Sequence, residues 1–228
     1  MKKLIFLIIL FLIPSFGNSQ VNIGVFDDYL YFVNQNRPLY DDIEGTPYLS
    51  DDFVPVRVND NQKVVDVKFN VFANNIEFKQ SNGEVAILST DGDYNFKMLD
   101  GLKTEFEIHS YSNDKGEKDR TFFKKIRMGE NFTLFLKENV KLIPKKIATS
   151  GFEQNQPARF SKSKSTFYVG KFKEGFGELS AVPLRKKEIS IYFKDRSKAI
   201  HQFIKKRKLK LDNEEDLVEL FNFYWSED

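Results

Sequence analysis

Residues 64–101 read VVDVKFNVFANNIEFKQSNGEVAILSTDGDYNFKMLDG. Apolar and polar residues alternate in short runs, and turn-forming residues interrupt these runs every few positions. Such alternation places one set of side chains on each face of a β-strand. Asn82-Gly83 and Asp100-Gly101 are dipeptides that favour tight hairpin turns. The stretch therefore predicts successive antiparallel strands that follow one another as a meander.

The alternation continues on both sides of this stretch. After it, Thr104, Phe106 and Ile108 are predicted to point inward, and their neighbours to point outward: Lys103, Glu105, Glu107 and His109. Further strands are predicted at Phe122 to Met128, Phe132 to Leu136 and Val140 to Ile143, and a strand-like segment follows at 166–172. Before it, residues 29–33 (YLYFV) are rich in β-forming residues.

The hydrophobic period changes near the C-terminus. Ala199, Ile200, Phe203 and Ile204 recur at helical spacing. Asp212, with Glu215 three residues later, predicts the N-cap of a last helix. Residues 186–194 fit both a short helix and a strand. Strands followed by helices predict an α+β fold: an antiparallel meander forming a curved sheet or partial barrel, then two or three short C-terminal α-helices.

The first nineteen residues have the layout of a secretory signal peptide. Lys2 and Lys3 precede the apolar run 4–13, and Pro14 and small or polar residues follow. Ten apolar residues reach about 15 Å as a helix, too short for a bilayer core of about 30 Å. Cleavage is expected near Ser19-Gln20. The predicted organisation is then a β-rich region at 20–145, a linker or crossing loop at 146–165, and a strand with helices at 166–228.

The amino-acid composition excludes several classes of function. The chain has no cysteine, which excludes disulfides and thiolate catalysis. The full chain has 35 basic and 33 acidic residues, and two of the basic ones, Lys2 and Lys3, lie in the predicted signal peptide. Without residues 1–19 the chain therefore has 33 of each. A neutral mature chain has no overall field to attract nucleic acid. Twenty-four Phe residues offer ample apolar surface for a buried core.

One segment comes close to a calcium-binding motif. Asp91, Asp93 and Asn95 occupy the first, third and fifth positions of an EF-hand loop. The sixth position, which requires Gly, is Phe96, and the twelfth, which requires Glu, is Leu102. The segment is therefore interpreted as a turn, and no metal site or cofactor is predicted.

His109 and His201 are the two histidines of the chain. Neither shares its element with a second histidine or with a carboxylate at metal-ligand spacing. Both are predicted to be solvated or capping residues. A catalytic arrangement built from distant segments stays open, because catalytic triads are assembled in space and not in sequence.

Other charged or glycine-rich stretches also favour structural roles. Gly170, Gly175 and Gly177 lack the spacing of a phosphate loop, and the basic run 205–210 suits a solvated helix end. Adjacent acids point to opposite faces of an extended chain, so they do not form a glycosidase pair. These pairs are Asp27-Asp28, Asp41-Asp42 and Asp51-Asp52.

The two ends of the mature chain resemble a family of uncharacterised exported proteins of Gram-negative bacteria. The similar stretches are EGTPYLSDDFVP (44–55) with VKFNVFANNIEF (67–78), and the closing segment from Lys186 to Tyr224. The resemblance implies export and favours a helix at 186–194. It implies no activity and no site residues.

The sequence therefore predicts no catalytic, cofactor-binding or metal-binding residue. The leading hypothesis is a non-enzymatic periplasmic or secreted protein that acts by binding or assembly, with a protein partner or an apolar ligand. One alternative is a carrier of lipid or another apolar ligand, which predicts a cavity lined by Phe and Leu. Another is a hydrolase, which predicts that His109 or His201 meets a Ser and a carboxylate.

Overall fold

A computed structural model describes residues 23–26, 30–33, 40–113, 115–129, 131–148, 154–171 and 177–226, and within these ranges twelve strands form one antiparallel sheet. The strands are β1 (Ile23–Phe26), β2 (Leu30–Val33), β3 (Val54–Val58), β4 (Val64–Asn70), β5 (Asn75–Lys79), β6 (Val85–Leu88), β7 (Asn95–Met98), β8 (Glu105–Ser112), β9 (Lys118–Met128), β10 (Phe132–Ile143), β11 (Arg159–Lys171) and β12 (Ser180–Ala181). The helices are α1 (Lys186–Tyr192), α2 (Ser197–Arg207) and α3 (Glu214–Trp225). The predicted α+β class, with a curved antiparallel sheet before three C-terminal helices, is confirmed.

The strand order departs from a simple meander at one point. The sheet runs β1-β2-β6-β5-β4-β3-β7-β8-β9-β10-β11-β12. Strands β3 to β6 form one meander and β7 to β11 another, but β6 pairs with β2 and β7 pairs with β3. Residues 89–94 connect strands that are four positions apart, about 19 Å in a flat sheet. Alternation fixes which face a residue occupies, but it does not fix which strand lies beside it.

One face of the sheet carries two apolar cores, and we call it the inner face. The first core belongs to β3–β9 and includes Val67, Phe78 and Phe96. The register carries the same face onward from Phe106 through Lys124 to Leu136. There the second core joins β10 and β11 to the three helices; its fully covered members include Leu134, Ile189, Ile200, Leu217, Leu220 and Phe221.

The segment 40–53 lies across the opposite, outer face of β4 and β5. Its Leu49 amide donates to the Phe69 carbonyl (2.9 Å), and Tyr48 is buried. The Tyr48 hydroxyl donates to Oε1 of Glu77 at 2.9 Å, and Asn70 Nδ2 lies 3.4 Å from the same oxygen. Glu77 is completely buried by this arrangement. Segment 40–53 is thus bound to the sheet, and the backbone of its Glu44 pairs with Arg159 of β11.

Several predicted boundaries change in the structure. Strand β11 begins at Arg159, inside the stretch predicted as a linker at 146–165, and β10 runs unbroken from Phe132 to Ile143. The N-cap of α3 is Asn213, which accepts from the Asp216 amide, and not Asp212. Residues 186–192 are helical, as the family resemblance favoured. In the described part of the chain, no helix is both long and apolar enough to span a membrane.

Candidate functional site

Polar side chains gather on the outer face where β7, β8 and β9 lie side by side. Asn95 pairs with Glu107 across β7 and β8, and Glu107 pairs with Phe123 across β8 and β9. Alternation then brings further polar residues of β8 and β9 to the same face. We call the resulting group the Glu107 cluster: Asn95, Glu105, Glu107, His109 and Lys125.

The Glu107 carboxylate is the centre of the cluster. Its Oε1 accepts from Lys125 Nζ at 2.9 Å and from Asn95 Nδ2 at 3.2 Å. Its Oε2 lies 2.8 Å from His109 Nε2. Lys125 also pairs with Glu105 at 3.4 Å. The side chains of Glu107 and His109 are only 14% and 10% exposed, so these contacts are largely shielded from water.

These contacts fix the protonation state of Glu107. Burial by itself raises the pKa of the carboxyl, but the hydrogen bonds from His109 and Lys125 and the positive charge of Lys125 outweigh it and lower the pKa to about 2. For Lys125, burial lowers the pKa, but the hydrogen bonds and charges of Glu107 and Glu105 outweigh burial and leave the pKa raised. Glu107 is therefore ionised at neutral pH, and a carboxylate of such low pKa is a poor general base.

An aromatic group packs directly beside the cluster. The His109 ring lies over Phe135 with 4.7 Å between ring centroids. Phe135 belongs to a small buried core on the outer face, together with Tyr111, Phe123, Tyr168 and Leu179. The Phe123 and Tyr168 rings are 5.0 Å apart. This packing holds the imidazole in place from the side opposite to solvent.

A cavity of about 340 Å³ opens beside the cluster, within the size range of small-ligand sites. Asn59, with a left-handed backbone (φ 50°), accepts from the Asn95 amide at 2.8 Å and so shapes one wall. The Oδ1 atom of Asn95 is buried and has no hydrogen-bond partner among the described residues. The cavity is lined by Asn59, Asp93, Tyr94, Asn95, Glu107, Ile108 and His109.

The segment that resembles a calcium loop begins as a turn and continues into β7, and its polar groups bind different partners. Asp91 accepts from the Ser89 hydroxyl, Asp93 accepts from Arg120 at 2.8 Å, and Asn95 donates to Glu107. Within the described ranges, no three His, Asp or Glu side chains are placed to hold one metal ion. Two of the motif residues, Asp93 and Asn95, instead line the cavity.

The two histidines have different outcomes. His201 is exposed on α2, which confirms a solvated role. The same prediction for His109 is wrong, because its side chain is largely covered and hydrogen-bonded. A detectable signal was present: Glu107 lies two residues before His109, so both side chains occupy one face of the same strand.

The other motifs singled out in the sequence are the basic run, the acid pairs and the glycines. Arg207, in the basic run, pairs with Glu219 of α3 at 2.6 Å, and Lys208 ends α2 in a left-handed conformation. The acid pairs 41–42 and 51–52 are exposed. Gly170 is buried in β11. The pair 27–28, Gly175 and the predicted signal peptide at 1–19 lie outside the described residues.

Comparison of the chain with protein-family models, with curated proteins and with solved structures found no match. The resemblance of its two ends to a family of exported proteins stays a prediction. The function is therefore inferred from the geometry of the Glu107 cluster and its cavity.

Proposed function

We propose that the protein is an exported, non-enzymatic binding protein that holds a small polar ligand in the cavity beside Glu107. The observation that carries the proposal is the buried Oδ1 atom of Asn95, which lacks a hydrogen-bond partner in the described structure. A buried acceptor without a donor costs about 1–3 kcal/mol. Asn95 lines the cavity, so a ligand donor that turned this amide toward the opening would remove that cost.

The charges of the cluster make Glu107 itself a fixed hydrogen-bond acceptor and not an acid or base. Glu107 already accepts from three groups, and at a pKa of about 2 it does not exchange protons at neutral pH. Its position therefore orients His109 and fixes the polar wall of the cavity. A rigid polar wall of this kind recognises a ligand by its hydrogen-bonding pattern.

A hydrolase would use the same Glu107–His109 pair as an oriented base and would add a nucleophilic hydroxyl. The serines of β8 alternate to the other face, where Ser110 accepts from Arg120 and Ser112 donates to Glu178. Thr121 is opposite His109 in the ladder, but its hydroxyl donates to the Asn74 carbonyl at 3.2 Å. These engagements favour binding over hydrolysis.

Packing of the aromatic residues also bears on the apolar-carrier alternative, which requires a cavity lined by Phe and Leu. Six Phe side chains are almost completely buried within closed clusters: Phe78, Phe96, Phe123, Phe132, Phe135 and Phe221. The cavity beside Glu107 contains neither Phe nor Leu; amide, carboxylate and imidazole groups line it together with Tyr94 and Ile108. These linings favour a polar ligand.

Export is part of the proposal and is supported by the charged, apolar and small-residue succession of residues 1–19. Intact-mass analysis and N-terminal sequencing of the protein recovered from the periplasm or medium test it. The expected mature chain begins at Gln20. A chain that keeps residue 1 and stays in the cytoplasm contradicts export.

Ligand binding is tested by native mass spectrometry of protein purified from the cells that make it. The wild-type protein is expected to carry a small polar molecule, and Asn95→Leu is expected to lose it because leucine removes the acceptor. Gln62→Leu is the matched control, since Gln62 is an exposed amide outside the cavity. A co-purified lipid, or equal loading of Asn95→Leu and wild type, contradicts the proposal.

A further inference from the structure

A second cavity, of about 530 Å³, lies between the β9–β10 turn and the C-terminal end of α3. It shares no lining residue with the cavity beside Glu107. Two strand ends and one helix end therefore converge on it. Its lining consists of Arg127, Met128, Gly129, Asn131, Phe132, Asn222, Trp225 and Ser226.

Trp225 forms a fixed aromatic wall of this cavity. Its ring is nearly parallel to Phe132, with centroids 4.8 Å apart and planes inclined by 11°. Phe221 stacks against it at 5.4 Å and 19°. A Cβ atom at Gly129 would lie 2.3 Å from the Phe132 ring, so glycine allows the turn to hold Phe132 against Trp225. The indole remains partly exposed, and Met128 beside it is 61% exposed.

Polar side chains surround this aromatic wall. The side chains of Arg127, Asn131 and Asn222 make no hydrogen bond or ion pair with another residue in the described part of the chain. The two amides each offer donors and an acceptor, and the guanidinium offers up to five donors. The indole N–H adds another donor at the edge of the ring. The cavity thus combines a flat apolar surface with uncommitted hydrogen-bonding groups.

We propose that this cavity is a saccharide-binding site. A pyranose ring has an apolar C–H face and a rim of hydroxyl groups that both donate and accept. Packing the C–H face on the indole would bury apolar surface, as aromatic side chains do at other polar–apolar boundaries. The hydroxyl rim would bond to Asn131, Asn222 and Arg127, which now face water. The site is independent of the ligand proposed beside Glu107.

The chain itself supplies the probe for this site. Trp225 is its single tryptophan, so excitation of tryptophan fluorescence reports from this cavity alone. The full mature protein is titrated with glucose, galactose, N-acetylglucosamine and glucuronic acid, and with adenosine as a planar ligand that is not a simple sugar. Each ligand is titrated up to about 10 mM, the concentration at which a site with a binding free energy of only about 2.7 kcal/mol is half occupied.

At least one sugar is expected to change the fluorescence of wild-type protein with a saturable curve. Asn131→Ala and Asn222→Ala are each expected to weaken binding about tenfold, which corresponds to about 1.4 kcal/mol. Gln202→Ala, an exposed amide on α2, is expected to bind like wild type. Far-UV circular dichroism checks the fold of each variant, and if one alanine variant is misfolded the other decides.

Three results would overturn the saccharide proposal. The first is no saturable response to any of the four sugars. The second is an unchanged affinity in the folded alanine variants. The third is a response to adenosine with none to sugars, which would assign the cavity to planar ring stacking. None of these outcomes bears on the cavity beside Glu107, because its test uses Asn95→Leu and mass spectrometry.

Discussion

His109 Nε2 lies 2.8 Å from Oε2 of Glu107, two residues earlier on the same strand. The extended backbone of β8 places both side chains on one face, and Phe135 packs against the imidazole. Lys125, from the neighbouring strand, completes the charge balance on the other carboxylate oxygen. A local sequence pattern and the pairing of β8 with β9 therefore bring a histidine and a lysine onto one carboxylate.

Replacing Glu107 by glutamine is expected to lower the free energy of unfolding by about 1–3 kcal/mol, because Lys125 loses its main counter-charge in a half-buried setting. Urea denaturation measures the difference. Glu84→Gln is the control, since Glu84 is exposed beside a hairpin turn and contacts Asn82. A loss in Glu107→Gln no larger than in the control would contradict a central role for Glu107.

The stabilising effect of Glu107 is expected to depend on pH in the acid range. The folded pKa of about 2 is below the ordinary value of 4.5, so the folded state favours the ionised form. Its contribution is then complete above about pH 4.5 and disappears as the pH falls through about 2. Urea denaturation at pH values from 4.5 down to 2 measures the difference in free energy of unfolding between wild type and Glu107→Gln. This difference should shrink as the pH falls. A difference that grows toward pH 2 would contradict the expected sign.

Tyr48→Phe is expected to destabilise the protein by about 1–3 kcal/mol. The change removes the 2.9 Å hydrogen bond to the buried Glu77 and weakens the attachment of segment 40–53. Tyr224→Phe is the matched control, because the Tyr224 hydroxyl reaches Asp195 at an exposed site. Thermal unfolding compares the two. Equal melting temperatures would show that the Tyr48 hydroxyl does not hold the segment.

Phe221→Ala is expected to cost about 3–5 kcal/mol, because Phe221 is fully covered where α3 meets β10. The sheet and helices should unfold together. Far-UV circular dichroism and the fluorescence of Trp225 are therefore expected to give coincident transitions. Ile191→Ala, at an exposed position of α1, is the control. Loss of the helical signal alone, with the sheet intact, would contradict a shared core.

The sequence was most informative where a single pattern repeats. Alternation predicted the buried faces of β4, β5 and β8, because a residue's face depends only on its neighbours along the strand. The pairing of β6 with β2 was not predictable, since it depends on contacts between distant segments. The start of β11 at Arg159 was missed because RFSKSKS carries mostly polar side chains, and its partner strand β10 is what orders it.

The candidate site was missed for a related reason. The side chains of Glu107 and His109 were predicted to point outward, and His109 to be solvated or capping, but neighbouring strands and the aromatic group largely cover both. Glu107 and His109 share one face in any extended strand, so their contact could have been predicted. The contributions of Lys125 and Asn95 could not, because they require the pairing of β8 with β9 and β7.

The central claim is that Glu107 is an ionised, fully engaged carboxylate that forms a fixed polar wall of the cavity and does not itself transfer protons. Nuclear magnetic resonance titration of the Glu107 side-chain carboxyl tests this most directly. The expected pKa is about 2, so that the carboxyl itself stays ionised between pH 5 and 8. A pKa at or above the ordinary 4.5 would contradict the claim, because Glu107 would then exchange protons like an uncommitted acid.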